Sequence, residues 1–347
     1  MGSIGANDMI DLFSKELTLC GVKEGETVAV LSEADQLTDY ATAFMTAASR
    51  LGAQTFNLNL PASKMSVSEK AGNVGISPLA GNLPAIEALK QADLVVDLMF
   101  LLFSKEQLEI QASGTRMLLV VEPLEVLSRL FPTQSLRDRV EAGERRLAKA
   151  RRLRFTNAAG TDVTYEIGQY PILTEYGFTD TPGRWDHWPG GFLATSGNDG
   201  AVNGRVVMDR GDIMYPFKAY VREPLDFTIR EGYVVDIKGG FEARLLSDYM
   251  EKFRDPKAYA ISHIGWGLNE LAQWNCHATG VPGIGMDGRA FYGNVLFSTG
   301  PNVELGGTND TACHLDLPMK GCTLYLDDEP IVREGEVLPA EMRAPGL

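Results

Sequence analysis

The stretch TACHLDL, residues 311–317, sets the imidazole of His314 two positions from the carboxylate of Asp316. Read as a strand, it places both side chains on one face and sends Cys313 to the other. Such a pair can converge on one divalent ion or one substrate. A hydrogen-bonded histidine on a half-buried strand would show the same spacing. The chain has four histidines, His187, His263, His277 and His314, all in its second half. His263, in AISHIGWG, is expected at the end of a strand, just before a glycine-containing turn. Ser298, in LFSTGPN, is expected at a strand end before a Gly-Pro turn. His187 lies in RWDHWPGG, beside Trp185 and Trp188 and ahead of paired glycines. Aromatic rings next to a titratable group suit a flat aromatic ligand, and Trp pairs are equally ordinary packing. His277, in WNCHATG, is assigned to structure or a loop.

The framework that must position these residues changes character along the chain. In the first part, helix signals at NDMIDLFSKELTLCG, TDYATAFMTAASRLG, 84–91 and 136–150 alternate with strand signals at 27–31, 53–60, 93–99 and 116–121. Strands alternating with helices imply a parallel sheet covered on both faces. No G-x-G-x-x-G follows the first strand and no G-x-x-x-x-G-K-[ST] occurs, so this half reads as a scaffold without a nucleotide cofactor. From about residue 151 the strands shorten, and Gly and aromatic residues become frequent. RLRFTNAAGTDVTYEIG reads as a hairpin turning at Ala158–Thr161. GYVVDIKGG, GNVLFSTG and TACHLDL read as strands and FEARLLSDYMEKF as a helix. AYAISHIGWGLNELAQW reads as a strand that bends at Gly265 and Gly267 and continues as a helix. The expected fold class is an α/β N-terminal domain with a parallel sheet, residues 1–150. An α+β domain of mostly antiparallel strands, residues 151–347, follows and carries the candidate metal-site residues.

The 347 residues carry a net charge of −14, which argues against nucleic acid as a partner. The basic run ERRLAKARRLRF, residues 144–155, reads as a solvated helix face or a subunit contact. Cys20, Cys276, Cys313 and Cys322 show no C-x-x-C spacing and read as reduced thiols of a cytoplasmic protein. No apolar run approaches the roughly 20 residues that span a bilayer. The start of the sequence lacks a basic segment followed by an apolar one, and Ala6 stands where myristoylation expects Ser or Thr.

In the order DHWPGG, SHIGWGLN, LFSTGPN and GGTND…CHLD, these short motifs resemble the 2,5-dihydroxypyridine 5,6-dioxygenase family. That family opens a pyridine ring in aerobic nicotinate breakdown and shares its fold with the M29 aminopeptidases. The resemblance covers most of the chain and implies a homo-oligomer. It implies that His263, Ser298 and Asp316 hold Fe(II), with His314 beside the metal. His187 would lie over the substrate as a hydrogen-bonding or acid/base group, with Trp185 also against the ring. A histidine, a hydroxyl and a carboxylate would be a variant of the facial triad, leaving positions for an anionic hydroxypyridine and O2. One departure stands out. Where the family has a base histidine, after the strand in DLVVDLMFLLFSKEQ, this chain has Phe103, with Phe100 close by. A phenyl ring takes no proton and makes a pocket more apolar, so the base or the substrate would differ. Two other classes use the same residues differently. A metallo-aminopeptidase of this fold would need further acids such as Glu270 or Glu304 around two metals. A catalytically inactive binder would hold small aromatic rings without consuming O2.

Overall fold

The computed structural model describes residues 6–62, 77–102, 104–280 and 283–346, so Phe103 lies outside the described residues. Thr27–Glu33 (β1), Gln54–Leu60 (β2), Leu94–Asp97 (β3) and Arg116–Val120 (β4) form a parallel sheet in the order β2-β1-β3-β4. Their alternation divides each of β1, β3 and β4 between two cores. Val28, Val30, Leu94, Val96, Leu118 and Val120 share one core with Phe13 and Leu17 of the helix Ala6–Leu19 and Phe44 of the helix Thr38–Arg50. Ala29, Leu31, Val95, Met117 and Leu119 share the other with Ile86 of the helix Leu83–Leu89 and Ile110 of the helix Lys105–Ala112. Apolar packing on both faces is why these strands read as unbroken apolar runs.

The helix Gln134–Leu147 carries the start of the basic run. The run is used within the chain. Arg146 pairs with Glu329 at 2.8 Å and Glu341 at 2.7 Å, and Arg152 pairs with Asp328 at 2.7 Å. It therefore ties the helix and the strand after it to the C-terminal segment, by contacts that the sequence pattern could not specify.

The second half begins with the hairpin Arg152–Thr156 (β5) and Asp162–Glu166 (β6), then Leu173–Glu175 (β7), Trp185–Trp188 (β8) and Phe192–Ser196 (β9). Val202–Met208 (β10), Ile213–Met214 (β11), Ala219–Tyr220 (β12), Leu225–Arg230 (β13) and Tyr233–Lys238 (β14) precede the helix Phe241–Glu251. Ile261–Gly267 (β15), the short helix Met286–Arg289, Val295–Thr299 (β16), Leu315–Met319 (β17), Thr323–Leu326 (β18), Glu329–Arg333 (β19) and Glu336–Val337 (β20) complete the chain. Two larger antiparallel sheets result, ordered β14-β13-β10-β6-β5-β18-β19-β20 and β17-β16-β15-β9-β7. The fold is thus a parallel α/β region followed by mostly antiparallel sheets. The β8 strand returns to the first sheet and pairs in parallel with β4, His187 standing opposite Leu119. The site histidines therefore reach one place from two different sheets.

Four local expectations need correction. β15 neither bends at Gly265 nor ends there. A Cβ on Gly265 would lie 2.0 Å from the Leu193 carbonyl oxygen, and one on Gly267 2.3 Å from that of Phe291. These glycines admit neighbouring backbone; they do not turn the strand. No helix follows, because Asn269 bonds the Gly190 carbonyl at 2.8 Å and accepts the Leu271 N–H at 3.1 Å. Such side-chain bonds divert the backbone from a helix. His263 is consequently inside a strand, not at its end, and the strand of TACHLDL starts only at Leu315.

Candidate metal centre

The antiparallel sheet β17-β16-β15-β9-β7 forms one wall of a narrow cavity of about 50 Å³, and β8 faces it from the parallel sheet. Asp316 on β17 pairs in register with Ser298 on β16. Residues directly opposite on antiparallel strands share a face, and Leu296, two residues before Ser298, lines the cavity with Asp316. His263 lies between Ile261 and Ile264, where the β15–β16 register slips. Such a bulge re-aims a side chain.

The outcome is a tight cluster. Asp316 Oδ1 lies 3.0 Å from His263 Nε2 and 3.2 Å from His314 Nε2. Donor atoms of these three residues all lie within 4.8 Å of one another. The other carboxylate oxygen, Oδ2, accepts the Arg289 Nε–H at 2.7 Å. Ser298 Oγ donates to the His263 carbonyl at 3.0 Å, joining that serine to the strand that carries the imidazole.

Burial alone would depress the His263 imidazole. The carboxylates of Asp316 and Glu304 outweigh it and hold its pKa up at about 9. Asp316 shows the converse: burial would raise it, but His314, Arg289 and the bond to His263 keep it well below the usual carboxylate range. A carboxylate whose Oδ2 is held by Arg289 presents Oδ1, between two imidazoles, to a cation. That donor set fits a divalent transition metal.

His187 and Trp185 close the cavity from the β8 side. His187 is 3% exposed, and its Nε2 is buried without a hydrogen-bond partner. Burial, aided by the Arg289 charge, drives its pKa down to about 3, so the ring is neutral across the physiological range. Its strand is anchored by Asp186. That buried carboxylate accepts N–H groups of Gly177 (2.9 Å) and His187 (2.8 Å) and pairs with Arg184 at 2.7 Å. Phe100 also lines the cavity, from the turn after β3. The Asp97 carboxylate holds that turn by accepting N–H groups of Met99 and Leu101, each at 2.8 Å. His277 stands apart from the cluster, its Nε2 2.7 Å from the Tyr215 hydroxyl.

Sequence reading missed Arg289 and Glu175. Arg289 stacks on the Tyr215 ring at 3.9 Å and donates to the Ile284 carbonyl at 2.7 Å. The turn that presents it is gripped by Glu122, just past β4, which accepts N–H groups of Ile284 (3.0 Å), Gly285 (2.9 Å) and Met286 (2.8 Å). Gly285 has φ +97°, and a Cβ there would lie 2.4 Å from the Tyr215 ring, so only glycine fits. No motif announces Arg289. Glu175 ends β7 and lines the cavity. Burial, then the neighbouring Asp186 charge, push its carboxyl up to about 8. The only signal was a lone acid in the apolar run PILTEYGF. Glu270, a candidate for a second metal, instead pairs with Arg139. Among the described residues, the metal-competent cluster is His263, His314 and Asp316.

With this geometry in view, comparison with known proteins is decisive. The family model for 2,5-dihydroxypyridine 5,6-dioxygenase matches residues 8–339. The chain belongs to that family. It is 48% identical to 2,5-dihydroxypyridine 5,6-dioxygenase of Pseudomonas putida over 97% of this chain and 98% of the relative. A solved structure of 2,5-dihydroxypyridine dioxygenase from Pseudomonas putida KT2440 superposes with a TM-score of 0.95 at 47% identity, covering 98% of this chain and 100% of the other. Wild-type AmpT from Thermus thermophilus superposes with a TM-score of 0.66 at 11% identity, over 96% of this chain and 99% of the other, a likeness of fold alone. The expected class, a ring-cleaving dioxygenase of M29 aminopeptidase-like fold, is thus the class to which the chain belongs. Among the described residues no helix is long and apolar enough to cross a membrane.

Proposed function

We propose that this enzyme opens a hydroxylated pyridine, or a closely related aromatic ring, with O2 at a single Fe(II) held by His263, Ser298 and Asp316. His314 stands beside the metal. The observation that carries this reading is the Asp316 carboxylate, one oxygen between two imidazoles and the other held by Arg289. Bound iron would supply a Lewis acid for the ring hydroxyl and a redox partner for O2.

The protein's own groups perform the rest. Arg289 keeps Asp316 Oδ2 occupied, so the carboxylate presents a single oxygen. Trp185, Phe100 and Phe192 make apolar walls for a flat ring and exclude water. The unbonded Nε2 of neutral His187 is placed to accept a hydrogen bond from a ring hydroxyl. The protonated Glu175 carboxyl is placed to donate a hydrogen bond to a ring heteroatom or carbonyl oxygen. Phe103, by sequence, removes the family's second imidazole. His187 is then the imidazole left to bond the ring hydroxyl, and the apolar walls of Phe100, Trp185 and Phe192 favour a less polar ring.

A second reading makes His314 the third ligand in place of Ser298, favoured by its 3.2 Å approach to Asp316. One experiment addresses both. Load the protein anaerobically with Fe(II), measure iron per chain, then follow oxygen uptake against a panel of hydroxylated pyridines and phenols. The proposal requires about one iron per chain and ring-dependent oxygen uptake, with iron lost in His263→Ala and Asp316→Ala. Iron lost in Ser298→Ala but kept in His314→Ala selects the first ligand set; the opposite result selects the second. Two divalent ions per chain, or ring binding without oxygen uptake, would refute it. We also assign residues 1–150 as scaffold and 151–347 as the metal-site region, acting in the cytoplasm as a homo-oligomer.

A further inference from the structure

His263 can serve a metal through only one of its ring nitrogens, and the structure distinguishes them. Nε2 points into the cluster, 3.0 Å from Asp316 Oδ1, while Nδ1 lies on the opposite side of the ring, 3.8 Å from Glu304 Oε1. The Glu304 side chain is 4% exposed, and its other oxygen, Oε2, is buried without a hydrogen-bond partner. A carboxylate kept so far from water, with one oxygen unbonded, is costly unless it faces positive charge or a polarised N–H. Among the described residues, the imidazole nitrogen that faces it is His263 Nδ1. Glu304 is held there firmly. It sits in the one-turn helix Val303–Leu305, whose flanks are tied by Asn309 N–H to Asn302 Oδ1 at 2.9 Å and Asn302 N–H to the Asn309 carbonyl at 3.1 Å. Ser262, next to His263, donates to the Pro301 carbonyl, so this loop is tied to β15.

We infer that Glu304 is a positioning residue: its carboxylate holds the proton of His263 on Nδ1, which leaves the Nε2 lone pair free to face a metal. This rests on the metal-site reading above and adds to it a residue that touches neither metal nor substrate. A carboxylate behind a ligating imidazole fixes the tautomer and ring angle and raises ligand basicity. Glu304 also lines an outer cleft that shares Leu173 and Trp185 with the site cavity.

The test titrates the metal-free full chain with Co(II), read by its visible absorbance. Wild type, Glu304→Ala, Glu304→Gln and His263→Ala are compared. We expect Glu304→Ala to bind Co(II) about 10- to 100-fold more weakly. Glu304→Gln should recover most of that loss, because its amide oxygen still accepts the Nδ1 proton. In the Zn(II)-loaded wild type, the ¹⁵N spectrum should show His263 protonated at Nδ1. Unchanged affinity in Glu304→Ala would overturn the inference, as would a Gln variant as weak as the Ala variant, which would mark a packing role. If wild type and His263→Ala bind Co(II) alike, the metal site itself is misassigned and the inference falls with it. If Co(II) is lost in His263→Ala and unaffected in Glu304→Ala, only the inference falls.

Discussion

Arg289 Nε lies 2.7 Å from Asp316 Oδ2, on the far side of the carboxylate from the two imidazoles. Both groups are nearly excluded from solvent, at 12% and 7% side-chain exposure. Removing one partner of such a pair costs about 3–5 kcal/mol, because the other charge stays buried. Arg289→Met should therefore destabilise the metal-free protein by about that amount and weaken Co(II) binding. Urea unfolding and a Co(II) titration check both. A variant with wild-type stability and affinity would show that Arg289 is not the anchor of Asp316.

His187 contributes an unbonded ring nitrogen and no link to the cluster. Replacing it by Ala should lower the turnover rate by about 10- to 100-fold, the usual worth of a hydrogen bond to a charged or polarised group, about 1.5–3 kcal/mol. Iron content should not change. Loss of iron in His187→Ala would move this residue from the substrate to the metal.

Glu175 makes stability depend on pH in a stated direction. Its folded-state pKa, about 8, lies above the ordinary carboxyl value of 4.5, so the folded protein keeps a proton that the unfolded chain releases. The contribution is fully present below about pH 4.5 and is lost progressively as pH rises toward 8. Glu175→Gln, which cannot ionise, should lose less stability than wild type between pH 5 and pH 8, with a difference of up to ~4 kcal/mol. Paired urea unfolding curves at the two ends of that interval measure it. Parallel curves would mean that the carboxyl ionises normally in the fold.

Phe103→His places an imidazole at the position where the family resemblance implies one. Oxygen uptake with 2,5-dihydroxypyridine should rise, by about 10²-fold if proton removal limits the rate, and uptake with less polar rings should fall. An unchanged substrate profile would show that this position selects neither the base nor the ring.

The sequence carried the parallel half well. Its helices cover both faces of β1, β3 and β4, so unbroken apolar runs and regularly spaced helix signals sufficed to read it. The H-x-D spacing was equally legible, because the period of a strand is local. Short motifs in order were enough to suggest the family, since order and spacing along the chain are properties of sequence alone. The helix expected after Gly267 failed because Asn269 spends its amide on the distant Gly190 carbonyl, 79 residues earlier. Propensity does not see such a partner. Arg289 and Glu175 were invisible for the same reason. Arg289 meets Asp316 across 27 residues, and it is aimed by Glu122, 163 residues before Gly285. By itself the sequence determined the element types, the H-x-D pair and the family pattern, all of which depend on neighbours along the chain. Only the tertiary structure decided which nitrogen of His263 faces Asp316, which oxygen of Asp316 faces the imidazoles, and that His187 arrives from another sheet. Those outcomes depend on burial and on charges brought together by folding, which fix protonation and direction only once the water is gone.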